Sequence, residues 1–153
     1  NNALVWLTGS LYGHTIENFY SVIPWFVITL PLVLCLSYQL DILNLGEHIA
    51  TALGARVQRL KMILLILSVM LAGASISVVG GISFLGLIAP HIARSIVGLR
   101  YFHVVIMSGC IGSILILFSD GLARGIHPPL DIPVGVIIAI IGVPYFLFLL
   151  RRI

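Results

Sequence analysis

The sequence predicts an all-α integral membrane protein with about five transmembrane helices. Three observations predict it. Of 153 residues, 60% are hydrophobic and only 8% are charged, with a mean hydropathy of +1.19. Uncharged runs recur at the length a helix needs to cross a bilayer, about 20 residues. Basic residues sit at the ends of those runs, where they orient a membrane protein. A soluble domain of this size buries about 70% of its unfolded surface, too little to hide so much apolar area. In hydrocarbon every backbone polar group needs an internal partner, which a helix supplies within one segment. A net charge of +3 distributed in this way does not suggest nucleic acid. Cys35 and Cys110 lie inside apolar runs and read as small core residues, not as a disulfide or a metal pair. The chain opens Asn-Asn-Ala, with no initiator Met and no signal peptide, and reads as a piece of a longer one.

Taken in order, residues 1–17 carry Trp6, Tyr12, His14 and Glu17 with Gly9 and Gly13 between them, a mixture suited to the membrane–water interface. The first uncharged run, 18–40, would give about 34 Å of helix. Pro24 and Pro31 lie within it, and neighbouring helices can accommodate both. Residues 41–61 are dense in charge: Asp41, Glu47, His48, Arg56, Arg59 and Lys61. Leu43, Leu45, Ile49, Ala52 and Leu53 recur there at helical spacing, with Gly54 as a stop, which predicts a short amphipathic helix outside the bilayer at about 43–56.

From Met62 to Ala93 the chain carries no charge, and its apolar character resumes past Arg94 to Gly98. One helix over that stretch would be roughly 55 Å long, nearly twice the hydrocarbon thickness of about 30 Å. Two spans turning at Gly80-Gly81, 62–79 and 82–98, are the alternative. Further runs follow at 103–123 and 132–150, separated by the polar loop Arg124-Gly-Ile-His-Pro-Pro-Leu-Asp131. Charge decides between the two counts. Five spans place Arg56, Arg59, Lys61, Arg94, Arg100, Arg151 and Arg152 on one side and Arg124 alone on the other; four spans split the eight evenly. Cytoplasmic loops carry the Lys/Arg excess, so five spans are predicted, with 41–61 cytoplasmic.

No enzyme constellation or phosphate loop is present, and His127 with Asp131 is a weak metal-ligand pair. Asp120 and Arg124 stand four apart at the outer end of the fourth span; they read either as a local ion pair or as a basic contact offered to something outside. Arg94 and His91 read as interfacial. Pro90 removes a backbone hydrogen bond, and a bent helix at membrane depth must face protein or a water-filled cavity. Residues 80–94 are therefore a candidate path lining. Gly73, Gly80, Gly109, Gly112, Ser113, Gly135 and Gly142 allow close helix approach. The cytoplasmic amphipathic helix is either a membrane-surface helix or a knob for the groove of a soluble partner.

Three stretches carry a family resemblance. They are Gly81-Ile-Ser-Phe-Leu-Gly-Leu-Ile-Ala-Pro-His-Ile-Ala-Arg, Leu43-Asn-Leu-Gly-Glu-His-Ile-Ala-Thr-Ala-Leu-Gly54 and Asp131-Ile-Pro-Val-Gly-Val-Ile-Ile-Ala-Ile-Ile-Gly-Val-Pro-Tyr-Phe. In order and across nearly the whole chain, they resemble the permease subunits of iron-siderophore, haem and cobalamin ABC importers (FecCD-type). The resemblance implies the last five spans of a ten-span, multi-pass permease of the bacterial inner membrane, preceded by a short outer helix at about 3–12. It implies a second permease subunit, two cytoplasmic ATPases and an external substrate-binding protein. No cofactor is expected on this chain, ATP and Mg being held by the ATPase. Leu45, Gly46, Glu47, His48, Ala50, Leu53 and Gly54 match the element that docks into the ATPase. Arg124 matches a residue that pairs with a glutamate of the binding protein. Gly80, Gly81, Gly86, Pro90, His91 and Arg94 match the signature along the path, and Pro133, Gly135 and Gly142 match the permease dimer interface. The expected cargo is a ferric siderophore, with haem or cobalamin as the alternative; half of a secondary transporter is the rival from another class. Asp131 stands where the family commonly has glutamate, keeping the charge on a shorter arm.

Overall fold

The computed structural model describes residues 2–11, 13–82, 84–126 and 132–153, so the His127–Asp131 pair and Tyr12 lie outside the described residues. Seven helices form within them: α1 (Asn2–Thr8), α2 (Ile16–Leu43), α3 (Glu47–Ala52), α4 (Val57–Val79), α5 (Leu85–Val97), α6 (Tyr101–Ile126) and α7 (Val134–Arg152). Among the described residues α2, α4, α6 and α7 are each long and apolar enough to cross a membrane. Pro24 and Pro31 lie inside α2 without ending it, and α2 runs a full turn past the expected boundary to include Asp41.

α6 is the central helix, packed against α2, α5 and α7, while α4 lies at the edge against α2 and α3. Two long-range contacts fix the directions. The Tyr101 N–H donates to Asp41 Oδ1 at 2.9 Å, which puts the start of α6 at the same end as α3. The Gly135 N–H donates to the Gly9 carbonyl at 3.4 Å, which puts the start of α7 at the opposite end, beside α1. The chain therefore passes back and forth as α2, α4, α5, α6 and α7.

The third pass differs from the expected span 82–98. Its helix holds 13 residues, or about 20 Å at 1.5 Å per residue, short of the roughly 30 Å of hydrocarbon. The cause lies in its first residues. Gly80 ends α4 at φ 83°, and Phe84 sits at φ 66°, a left-handed conformation that costs a residue with a Cβ about 1–2 kcal/mol. Non-helical backbone at that depth needs protein around it, and it has it. The Ser10 N–H donates to the Val79 carbonyl at 3.1 Å, and an added Cβ on Gly81 would lie 3.0 Å from the Leu7 carbonyl oxygen. α1 with its connection thus covers the break.

Close packing at the glycines holds the remaining passes together. Ala89 and the fully buried Ala93 face α6, where Gly112 lets the Ala89 methyl approach to 3.9 Å of its own missing Cβ. Gly142 of α7 seats Phe84 and Ile88 of α5. Gly73 and Gly109 have open space beside them and carry no such contact. Cys35 and Cys110, expected in the core, are both exposed. A bilayer rewards an apolar side chain on the lipid face as readily as in the interior, so apolar surroundings in sequence do not imply burial.

Candidate functional site

The α3 end of the bundle carries the seven residues expected to dock on a partner, Leu45, Gly46, Glu47, His48, Ala50, Leu53 and Gly54. Gly46 precedes α3 at φ 109° and Gly54 follows it at φ 85°, conformations that suit residues without a Cβ. Behind α3 the Ala55 N–H donates to the Ala50 carbonyl and the Gly54 N–H to the Thr51 carbonyl, both at 3.0 Å, a Schellman motif that stops the helix. The result is a six-residue helix, shorter than 43–56 because α2 takes residue 43 and the glycines close both sides. Ala50, 0% exposed, is its one buried residue and faces the bundle. Leu45, Ile49 and Leu53, four residues apart, are 60%, 51% and 65% exposed. The apolar side of this amphipathic segment thus faces away from its own protein. His48 is exposed beside it.

Glu47 and Lys61 form an ion pair that ties α3 to α4. A groove of 520 Å³ opens next to it, lined by Thr51, Ala55, Arg56, Gln58 and Arg59 among others. Lys61 was not singled out from the sequence: 14 residues separate it from Glu47, far outside the i,i+4 spacing that marks local pairs.

Of the signature residues, Gly80 and Gly81 sit at the break between α4 and α5. Gly86 and Pro90 lie one turn apart on α5, and the proline has no N–H to give the Gly86 carbonyl. The ring of His91 meets that of Tyr145 edge-on at 6.3 Å, and Arg94 lies 5.6 Å from the ring centroid of Tyr101. The opposite end holds Arg124, whose Nε is 3.0 Å from Asp120 Oδ2. The ion pair of the first reading forms, and the Arg124 side chain is 63% exposed against 22% for Asp120.

Gly135 and Gly142 are occupied by contacts within the chain. A Cβ on Gly135 would overlap the Thr8 carbonyl oxygen and lie 2.9 Å from its carbon; one on Gly142 would lie 2.6 Å from Ile88 Cδ1 and 3.0 Å from Phe84 Cβ. Pro133 precedes α7 in an extended conformation. Val136, Ile140, Val143, Leu147 and Leu150 of α7, spaced alternately four and three apart, are exposed. Among the described residues no three His, Cys, Asp or Glu side chains gather in a way that could hold a metal ion.

Comparison with known proteins gives this geometry its context. The chain is 46% identical over 151 residues to the Fe(3+)-citrate import system permease protein YfmE of Bacillus subtilis, covering 99% of this chain and 45% of that one. It is 43% identical to the iron(3+)-hydroxamate import system permease protein FhuG of the same organism, covering 98% and 45%. It is 45% identical to the Fe(3+) dicitrate transport system permease protein FecD of Escherichia coli, covering 99% and 48%. The chain thus spans about half the length of these relatives. A solved ABC transporter of metal-chelate type, inward-facing, superposes with a TM-score of 0.90 at 29% identity, over 99% of this chain and 50% of that one. Permease relatives and four membrane-length apolar helices make this a multi-pass inner-membrane protein. The model of the FecCD transport family matches residues 1–152, and the chain belongs to that family.

Proposed function

We propose that this chain supplies half of one permease subunit of an ATP-driven importer for ferric chelates, siderophore or citrate, and has no catalytic chemistry of its own. The relatives named for ferric citrate and hydroxamate import support the cargo class. The observation that carries the coupling is the outward ridge of Leu45, Ile49 and Leu53 on α3. A short helix with its apolar side turned from its own bundle fits a groove on a soluble partner. Glycine ends and the Glu47–Lys61 pair hold it at a set angle. In this reading the α3 end is cytoplasmic, in keeping with seven of the eight Lys and Arg residues there. Two ATPase subunits holding ATP and Mg dock on α3 of each permease, and their closure rocks the spans between inward- and outward-open states. Arg124, exposed at the other end, meets an acidic residue of the external binding protein. A second permease subunit, identical or related, packs on α7. Residues 80–94 line one side of the path.

The test is uptake of ferric citrate and of ferric hydroxamate by the intact importer after removal of residues 44–54. Loss of ATPase co-purification and of uptake is expected, with the permease still folded in the membrane; uptake that survives the removal sinks the proposal. For Arg124, Arg124→Glu should weaken binding-protein affinity about tenfold or more, as reversal of one interfacial charge does. Unchanged affinity rejects its docking role.

A further inference from the structure

We propose that Asp41 and Tyr101 form a clasp through which movement of α3 reaches the centre of the bundle; this rests on the coupling reading of α3 above. α3 is joined to two helices. Through Glu47–Lys61 it holds α4, but α4 packs at the edge, on α2 and α3. Through the short connection 44–46 it follows directly from α2. The last turn of α2 carries Asp41, and Asn44 is its C-cap.

Tyr101 is the first residue of α6, and the N–H groups of a helix's first turn have no partner inside the helix. Asp41 Oδ1 accepts that of Tyr101 at 2.9 Å from 60 residues away. Its negative charge also suits the positive end of the α6 dipole. The Tyr101 hydroxyl reaches Asn44 Oδ1 at 3.4 Å. Arg94 of α5 stands over the ring, 5.6 Å from the centroid, within the reach of a cation–π contact. One residue therefore joins the ends of α2, α5 and α6. Residues 98–100, the whole connection between α5 and α6, leave little slack between these two. A push on α3 that shifts the end of α2 is thus carried to α6, and with it to α5, where the path signature lies. In this proposal Asp41 and Tyr101 are positioning residues, acting through the helices they join.

The experiment uses the intact permease with its ATPase and binding protein in proteoliposomes and reads chelate imported per ATP hydrolysed. Asp41→Ala and Tyr101→Ala are expected to keep the ATPase bound and hydrolysing while import per ATP falls about fivefold or more, the lower range of a coupling free energy. Asp41→Asn keeps a carbonyl acceptor and Tyr101→Phe keeps the ring and the backbone N–H; both should stay within about twofold of the parent. Should an alanine variant not assemble, Arg94→Gln removes only the cation, and import per ATP should fall about twofold or more. Unchanged import per ATP in the alanine variants, or in Arg94→Gln, overturns the clasp and leaves the docking of α3 standing. An Asp41→Asn variant as poor as Asp41→Ala overturns it too, since charge and not the cap would then matter. Uptake that persists without residues 44–54 overturns both readings.

Discussion

Gly135→Ala should be among the most damaging single-methyl additions in this chain. The new Cβ would overlap the Thr8 carbonyl oxygen, lie 2.9 Å from the Thr8 carbonyl carbon and 3.5 Å from the Gly81 carbonyl oxygen. All three are backbone atoms, so no side chain can turn aside. α1 or the start of α7 must move, and overpacking of this kind costs about 1–3 kcal/mol. The Gly135 N–H to Gly9 hydrogen bond is lost with that movement, adding about 1 kcal/mol. Helix propensity returns at most about 1 kcal/mol. A net loss of about 2–3 kcal/mol is expected. Two controls bracket it. Gly142→Ala meets Ile88 Cδ1 at 2.6 Å and Phe84 Cβ at 3.0 Å; the isoleucine can turn but the phenylalanine is fixed by its backbone, so the loss should be about 1–2 kcal/mol. Gly73→Ala, with open space beside it on α4, should be neutral or stabilise by up to about 1 kcal/mol. The assay is the unfolding midpoint of the three variants of the intact protein in one detergent. The order Gly73 above parent above Gly142 above Gly135 is expected. A Gly135→Ala midpoint equal to the parent's would show that α1 does not seat on α7.

Ser119 of α6 is fully buried and its hydroxyl has no hydrogen-bond partner among the described residues, a cost of about 1–3 kcal/mol. Ser119→Ala should therefore raise the unfolding midpoint, whereas Ser113→Ala, at an exposed hydroxyl bonded to the Gly109 carbonyl at 2.8 Å, should leave it in place. A lower midpoint for Ser119→Ala would refute the reading. The Glu47–Lys61 pair is half exposed or more on both sides, so each single reversal should cost less than about 1 kcal/mol of stability. Its effect should show in ATPase co-purification, reduced in Glu47→Lys and in Lys61→Glu and restored when both are made together. Failure of the double variant to restore binding would mean that Glu47 contacts the ATPase itself.

Much of the architecture was legible because the bilayer imposes it. Apolar runs of span length, interrupted by turn residues and flanked by arginines, encode the passes and their ends. What stayed hidden depends on atoms brought together from distant positions. Hydropathy continued unbroken through residues 80–84 and so predicted a full third span; the left-handed Phe84 and the covering by α1 are invisible to it. Cys35 and Cys110 were misplaced because lipid and core are alike to an apolar side chain. The Asp41–Tyr101 cap and the Glu47–Lys61 pair lie 60 and 14 residues apart, where no local spacing rule reaches. Gly54, in contrast, marked the end of α3 from the sequence, since a positive φ leaves few other residues to choose from.

The glycines tie these points together. Gly9, Gly81 and Gly135 belong to three separate stretches of the chain, yet their backbones meet at one junction. There α1 and the connection after it cover the break before α5, and Gly9 of that connection supplies a carbonyl to the first turn of α7. A side chain at any of the three would hold the covering segment off, exposing non-helical backbone at a depth where hydrocarbon offers no hydrogen bonds. Gly81 and Gly135 in the signature stretches are thus accounted for by packing inside one chain, before any cargo or second subunit is considered.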